Sequence, residues 1–314
     1  MLRYTLKRLG AGFLTVFVLA TATFLLMHSV PGDPLARAKA LTPQIRANLE
    51  AKYGLDQPKY VQYGVYLGNM LKGDFGISFT QQNRTVNEII RKHFPVSAKL
   101  GLFSLFFAAL GGIAFGAAAA RARGRIGDGA LMLFVILGIS VPSFVFAALV
   151  QWLLTELNVR AGFTLLPVAG WGSFRHMLLP AMVLGLGSMA FLARLMRSSL
   201  LEVIHQDYVR TAAAKGLSPA RILFAHQLRN AILPVVTVLG PAIATITTGG
   251  FVVEQVFAIP GLGRYFVNAV QQLDYTMIMG LTVFYGAFLV LMVIVVDLAY
   301  GLVDPRISVT GSRA

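Results

Sequence analysis

Six long runs without a charged residue most constrain the fold of this chain. They are Leu9–Met27, Leu100–Ala120, Gly129–Thr155, Met177–Ala193, Ala231–Val253 and Tyr275–Val296. A helix needs about 20 apolar residues to cross the hydrocarbon core of a bilayer, and backbone polar groups in that core must be satisfied within the protein. Charged residues make up 13% of the 314 residues, against roughly 25% in a typical soluble protein. We therefore predict an all-α polytopic membrane protein with six transmembrane helices.

Lysine and arginine residues in the short loops predict the orientation of these helices, because short cytoplasmic loops carry an excess of both. If the N-terminus is cytoplasmic, fourteen such residues face the cytoplasm: Arg3, Lys7, Arg8, Arg121, Arg123, Arg125, Arg194, Arg197, Arg210, Lys215, Arg221, Arg229, Arg306 and Arg313. Only three then face outward in short loops: Arg160, Arg175 and Arg264. The first run is longer than the apolar region of a secretory signal, so we predict that it is retained. Both termini are predicted to be cytoplasmic.

The loops divide the chain into three predicted parts. These are residues 1–30 (the N-terminal cytoplasmic end and first transmembrane helix), residues 31–99 (a small extracytoplasmic domain) and residues 100–314 (a five-helix core with a cytoplasmic loop at about 196–230).

The extracytoplasmic domain is an insertion between the first two transmembrane helices and is too polar to span the membrane. Thr42, Pro43 and Gly54 are start and stop signals of one helix, and a second is predicted from about Lys59 to Lys72. The insertion is either a solvated loop with two surface helices or an element that docks or gates at the outer mouth.

Proline and glycine residues interrupt the third and fifth runs. Pro142 lies in the third run, and Pro234, Pro241 and the pair Gly249–Gly250 lie in the fifth. Breaks at membrane depth are tolerated where other helices or a water-filled cavity satisfy the freed backbone groups. They indicate either ordinary kinks or the lining of a cavity. The Gly112-x-x-x-Gly116 pattern is interpreted as a helix packing contact.

The sequence contains no recognisable catalytic, cofactor-binding or metal-binding motif. The chain has no cysteine, which excludes disulfides and thiolate metal sites, and it has no recognisable nucleotide-binding, zinc-protease or serine-hydrolase motif. We predict no catalytic residue, no cofactor and no metal site. The net charge of +14 is explained by membrane orientation without a nucleic-acid partner.

Ionisable residues are also nearly absent from the six runs. Glu254 and Asp297 lie at the ends of the fifth and sixth helices, whereas an ion-driven carrier normally keeps carboxylates near the membrane midplane. Energy is therefore expected from another chain. A self-contained channel or secondary carrier remains the alternative, and an intramembrane enzyme would need a paired nucleophile and base.

A short helix is predicted in the loop between the fourth and fifth runs. Asp207 can act as its N-cap, and Gly216 can end it in a left-handed conformation. Ser218 and Pro219 then start a second helix that runs into the fifth run. A helix of about eight residues is marginal in water by itself. The small face of Ala212–Ala214 favours a protein groove over the alternative of an anionic lipid surface.

The residues of this loop resemble those of a known family. YVRTAAAKGL (208–217), HQLRN (226–230) and LP (233–234) resemble the cytoplasmic loop of inner-membrane permeases of ABC importers, in the dipeptide/oligopeptide/nickel branch. The general motif of that family is E-A-A, three residues, Gly, nine residues, I-x-L-P. With Gly216 on the motif glycine, Arg210 and Thr211 replace the Glu and first Ala, and His226 and Arg229 replace the Ile and Pro.

The resemblance extends along nearly the whole chain. The segments VPGDP (30–34), YGLDQP (53–58), GDFGISF (73–79), GGFVVEQVFAIPGLG (249–263) and VVDLAYGLVDPR (295–306) are similar to the first permease subunit of that branch. The resemblance implies a peptide importer in a bacterial cytoplasmic (inner) membrane. It also implies four partner chains: a second homologous permease, two cytoplasmic ATP-binding subunits that hydrolyse ATP, and an extracytoplasmic substrate-binding protein. The substrate stays open between dipeptide, oligopeptide, glutathione and nickel chelate.

By the same resemblance, the short helix is the coupling helix that sits in a cleft of the ATPase. Its predicted residues are Asp207, Tyr208, Arg210, Thr211, Ala212, Ala213, Lys215 and Gly216. Polarity within the third and fifth runs adds candidates for the lining of the translocation pathway, namely Ser140, Ser143, Thr245, Thr247 and Thr248.

Overall fold

The computed structural model of the chain describes residues 2–30, 44, 56–81, 84–248 and 250–303. The predicted helix that starts near Thr42 lies outside these residues. The described helices, in chain order, are α1 (Leu2–Ser29), α2 (Lys59–Leu71), α3 (Val86–Arg121), α4 (Ile126–Ser140), α5 (Ser143–Ala161), α6 (Phe174–Ile204), α7 (Asp207–Ala214), α8 (Pro219–Ala231), α9 (Leu233–Thr248), α10 (Phe251–Val256), α11 (Leu262–Gln272) and α12 (Tyr275–Val303). The only β pairing within the described residues is a single bridge between Ile77 and Thr85.

Several of these helices are long and apolar enough to cross a membrane. In the described part of the chain there are five, or six if the bent pair α8 and α9 forms one span. Their surfaces expose large apolar side chains: Leu26 and Trp152 are each 68% exposed. Such surfaces fit lipid and not water. The prediction of an all-α polytopic membrane protein is confirmed.

The predicted third run is two helices, because Pro142 breaks it. Val141 (φ −85°, ψ 122°) and Pro142 (φ −56°, ψ 136°) are extended between α4 and α5. Proline has no N–H to continue a helix, and it disfavours the helical conformation of the residue before it. The predicted interruption at Pro142 is confirmed.

The fifth run also differs from a single uninterrupted helix. The helical path begins earlier, at Pro219, and α8 contains a π-helical section, Ile222–Leu228. Pro234 lies in the first turn of α9, where the missing N–H costs little, whereas Pro241 lies inside α9. The end of the predicted run belongs to the separate short helix α10.

Two other helices extend beyond the apolar runs that predicted them. α3 begins at Val86, so residues 86–99 of the predicted insertion belong to this helix. This part of α3 contains the exposed charged residues Arg91, Lys92 and Lys99, so it does not belong to an uncharged run. α6 continues past Met177–Ala193 at both ends, which supplies the length that the shortest run lacked.

The chain divides into two compact units, each described by itself. The first contains Met1–Val96 and Gly261–Ala314, and the second contains Ser97–Pro260. In the first unit α1 packs along α12. Their close approach is at Gly12, where a Cβ atom would lie 2.6 Å from Cγ1 of Val290.

A buried aspartate organises the loop that precedes α3 in the first unit. Asp274 is fully buried at the start of α12. Its carboxylate accepts hydrogen bonds from the hydroxyls of Ser78 and Thr80 and from the backbone N–H groups of Phe79, Thr80 and Met277. These bonds fasten the loop after α2 to the first turn of α12.

Glycine residues bring the helix backbones of the second unit into contact. A Cβ atom on Gly112 would lie 2.6 Å from Cβ of Leu192, and one on Gly116 would lie 2.6 Å from Cβ of Met196. The predicted packing role of this glycine pair is therefore confirmed, with α6 as the partner helix. Around this contact lies a core that includes Met189, Leu192, Met196 and Leu200.

Candidate functional site

The candidate site is α7, the short helix between α6 and α8 in the second unit. Its N-cap residue is Gln206 (φ −72°, ψ 147°), whose carbonyl accepts hydrogen bonds from the N–H groups of Val209 and Arg210. Asp207 is the first helical residue, its side chain is 98% exposed, and no side chain caps this helix. The prediction that Asp207 is the N-cap is therefore wrong by one residue. Its carboxylate still lies where the helix dipole favours a negative charge.

The end of α7 is a Schellman motif at Gly216. The N–H of Gly216 donates to the carbonyl of Ala213 (2.9 Å), and the N–H of Leu217 donates to the carbonyl of Ala212 (3.3 Å). Gly216 has φ +78°, the left-handed conformation that this motif needs. The prediction that Gly216 ends the helix in this conformation is confirmed.

The second helix of the loop starts as predicted. The hydroxyl of Ser218 accepts a hydrogen bond from the N–H of Arg221 (3.4 Å), and Pro219 is in the first turn. α8 then passes into its π-helical section. π-helical sections are rare in proteins, and those that occur often lie at functional sites.

The structure shows what holds this short helix on the second unit. Val209 and Ala212, one turn apart, are 6% and 5% exposed. α7 packs on the π-helical section of α8. At the other end of α8, the side-chain amide of Asn230 donates to the hydroxyl of Tyr208 (2.9 Å) and to the carbonyl of His226 (3.0 Å). These contacts stabilise α7, which as an isolated helix of eight residues would be marginal in water.

The alanines of α7 do not form one face, in contrast to the sequence prediction. Ala212 is buried, whereas Ala213 and Ala214 are exposed. Consecutive helical residues lie about 100° apart, since the helix has 3.6 residues per turn. The buried pair Val209 and Ala212 is the functional feature that sequence reasoning missed, although its three-residue spacing was a readable signal.

The exposed side of α7 combines small and charged side chains. Asp207, Arg210, Thr211, Ala213, Ala214 and Lys215 are exposed. Arg210 and Asp207 lie 3.8 Å apart, but both side chains are largely exposed (72% and 98%), so this pair contributes little stability. The hydroxyl of Thr211 donates to the carbonyl of Asp207. α7 thus presents a surface of small and charged side chains that is suited to contact with another protein.

The polar residues predicted to line a pathway lie in different places. Ser140 and Ser143 are exposed on the two sides of the break at Pro142. Thr245 is exposed, and its hydroxyl donates to the carbonyl of Pro241. Thr247 is buried and donates to the carbonyl of Ile243. The side chain of Thr248 lies outside the described residues.

Thr245 and Thr247 lie in different surroundings on α9. Thr245 lines a groove between α6 and α9, together with Leu184, Ser188, Phe191, Val238, Pro241, Ala242 and Ile246. Thr247 packs where α9 meets α3, since a Cβ atom on Gly101 would lie 2.8 Å from its Cα atom. Ser188 is therefore the polar neighbour of Thr245, and sequence reasoning missed it although it is the one hydroxyl residue in the fourth run.

Nearly the whole chain matches known membrane proteins. The family model described as "Binding-protein-dependent transport system inner membrane component" matches residues 112–309, and the model of its N-terminal part matches residues 1–101. The chain is 46% identical to the dipeptide transport system permease protein of Bacillus subtilis over 308 residues, which cover 98% of each chain. It is 43% identical to the oligopeptide transport system permease protein of Haemophilus influenzae, over 98% of this chain and 99% of that protein.

A solved structure shares the fold of about two thirds of the chain. A chain in the crystal structure of an amino acid ABC transporter superimposes with a TM-score of 0.51 at 13% identity, covering 68% of this chain and 93% of that one. At this identity the likeness concerns the fold alone. The family models and the full-length relatives decide the assignment: the chain belongs to the family of inner membrane components of binding-protein-dependent transport systems.

Proposed function

We propose that this chain is a permease subunit of an ABC importer that moves peptides across the inner membrane. Relatives named as dipeptide and oligopeptide permeases share 46% and 43% of its residues over nearly the whole chain. We infer that it forms the translocation pathway with a second, related permease. An extracytoplasmic binding protein delivers the peptide, and two ATP-binding subunits hydrolyse ATP.

The observation that carries this proposal is the way α7 is built. Its exposed side can enter a groove on an ATP-binding subunit, because Ala213 and Ala214 add little bulk there. Its buried side is held by Val209 and Ala212, and the Schellman motif fixes the direction in which the chain leaves it. A groove that grips the exposed side and moves would therefore carry α6 and α8 with it.

The orientation follows from the same assignment. If an ATP-binding subunit holds α7, the loop between α6 and α8 is cytoplasmic, and both termini are cytoplasmic as well. The fourteen basic residues on that side, against three in short loops on the other, support this orientation. The insertion between α1 and α3 then faces outward, where a binding protein docks.

We place the pathway along the third, fourth and fifth spans. The groove between α6 and α9 supports this position, because it brings the hydroxyls of Ser188 and Thr245 into an otherwise apolar surface. Ser140, Ser143 and Thr248 remain candidates on the same spans. Thr247 is the weakest candidate, since it is buried against α3.

A substitution on the exposed side of α7 tests the proposal. Ala213→Arg adds bulk where the ATP-binding subunit is proposed to sit, without touching Val209 or Ala212. We expect the variant to be inserted normally but to lose its ATP-binding subunits on purification and to lose uptake of a labelled dipeptide. Ala213→Ser, which stays small, is the matched control and should behave like the wild type.

The assay uses cells that express the chain with its cognate partner subunits. Retention of the ATP-binding subunits and normal peptide uptake by Ala213→Arg would contradict the role of α7. Uptake of a nickel chelate or of glutathione in place of dipeptide or tetrapeptide would keep the importer assignment and change its substrate.

A further inference from the structure

An ion pair joins α6 to α4 close to the coupling helix. The Nε atom of Arg197 donates to Oδ1 of Asp128 (2.8 Å), and Nη2 donates to Oδ2 (2.7 Å). The side chains are only 25% and 11% exposed. Oδ2 of Asp128 also accepts from the N–H of Gly124 (3.3 Å), in the turn between α3 and α4. The two-bond geometry fixes the guanidinium and the carboxylate in one relative orientation.

The ion pair lies close to α7 along the chain. Arg197 lies about two helical turns before the end of α6 at Ile204, and α7 begins at Asp207. A second contact lies between them, since Nη1 of Arg123 is 3.5 Å from Nε2 of His205. The first turn of α4 therefore contacts the last part of α6, and the turn before α4 contacts His205, the residue after α6, directly next to α7.

The packing of α4 continues this link toward the break at Pro142. Val135 on α4 is buried together with Ala190 and Ala193 of α6. Further along, a Cβ atom on Gly138 would lie in van der Waals contact with Leu186 and Ala190. α4 is thus fastened to α6 by charge at one end and by close packing at the other, and it ends at Ser140.

We propose that Asp128 and Arg197 form a brace that makes α4 move with α6 when the ATP-binding subunits displace α7. This inference rests on the proposed function. The two residues are positioning residues: they transmit movement from the coupling helix to the break at Pro142. The packing of Val135 and Gly138 holds the end of α4 near Pro142, and the partly buried two-bond ion pair fixes the other end of α4 on α6 in one register.

The test separates a transmitting role from a merely structural one. The complex is purified with its cognate partners and reconstituted in liposomes, and peptide uptake is measured beside ATP hydrolysis. For Asp128→Asn we expect the ATP-binding subunits to be retained and ATP to be hydrolysed, while peptide uptake per ATP falls by about tenfold, because a partly buried pair loses one of its charges and one of its two hydrogen bonds. Arg197→Lys keeps the charge but loses the second bond. Its peptide uptake per ATP should also fall, but by a smaller factor than in Asp128→Asn.

Two further variants complete the design. The exchange Asp128→Arg with Arg197→Asp should restore uptake per ATP toward the wild-type ratio. Glu156→Gln is the matched control, because it removes an exposed ion pair with Arg160 (2.9 Å, side chains 45% and 75% exposed). It should leave the ratio unchanged.

Each outcome decides the question. An unchanged ratio in Asp128→Asn overturns the brace, and so does a parallel loss of assembly and uptake in both single variants, which would indicate a folding role only. A wild-type complex that fails to retain ATP-binding subunits or shows no ATP-dependent uptake overturns the proposed function itself, before any variant is compared.

Discussion

Replacing Gly216 by valine tests the end of α7 with the least disturbance elsewhere. The site has open space around it, since a Cβ atom would meet nothing within 4 Å. The cost is therefore conformational and not steric. Gly216 has φ +78°, and this left-handed region costs a residue with a Cβ atom about 1–2 kcal/mol, with a β-branched side chain at the upper end.

The local consequence can be estimated from that cost. A penalty of about 1.4 kcal/mol changes a conformational equilibrium tenfold. The competing conformation extends α7 past residue 215. It gives up the hydrogen bonds from Gly216 to Ala213 and from Leu217 to Ala212, each worth about 0.5–1.5 kcal/mol net. Together the two bonds favour the native exit by about 1–3 kcal/mol, and the penalty of about 1–2 kcal/mol offsets most of this. We expect the native and the extended exit of α7 to become about evenly populated, while the membrane helices stay folded.

The assay compares two substitutions at the same position. Gly216→Asn also adds a side chain, but asparagine visits the left-handed region readily. We expect Gly216→Val to retain less ATP-binding subunit and to lose about half of its uptake of labelled peptide, because an evenly matched equilibrium leaves about half of the molecules with the native exit. Gly216→Asn should stay close to the wild type at equal expression. Equal uptake by the two variants would refute the reasoning, because the left-handed exit would then have no part in coupling.

Three other predictions concern the fold, the orientation and the energy source. Gly116→Val should destabilise the chain by about 1–3 kcal/mol through overpacking of α3 on α6, measured as thermal stability in detergent. Gly129→Ala should have little effect, because a Cβ atom there meets nothing within 4 Å. Equal stability of the two variants would argue against the close contact at Gly116. A reporter active only in the cytoplasm should work when fused after Gly216 and be silent when fused within residues 56–81, and the reverse pattern would invert the proposed orientation. The purified chain alone should show neither ATP hydrolysis nor uptake driven by a proton or sodium gradient in liposomes, and robust gradient-driven uptake would favour a self-contained carrier.

Local features of the loop could be predicted from the sequence. The left-handed Gly216 and the start at Ser218 and Pro219 depend on a few consecutive residues whose backbone preferences are strong. The N-cap was placed one residue late, at Asp207 in place of Gln206, because the chain leaves α6 through an extended residue that any side chain can occupy. Helix ends fray over about one or two residues, so a local signal locates an end only to that precision.

Long-range features were beyond reach of the sequence alone. Nothing in the local pattern pairs Asp128 with Arg197, and the positive charge of Arg197 had a sufficient explanation in membrane orientation. Ala212 is buried and Ala213 is exposed because of the position of α8, on which α7 packs. The early start of α3 was hidden for a different reason: charged residues are tolerated on the exposed face of a helix, so an uncharged run marks only part of its length.

The glycine contacts between α3 and α6 also limit how the second unit can change shape. Where two backbones touch without intervening side chains, as at Gly112 beside Leu192, one helix cannot slide or turn past the other without a collision. We expect these two helices to keep their relative geometry through a transport cycle. Rearrangement is then left to the places where the helical path is broken or bent, at Pro142 and at the 48° bend between α8 and α9. We expect these joints to act as hinges of the second unit.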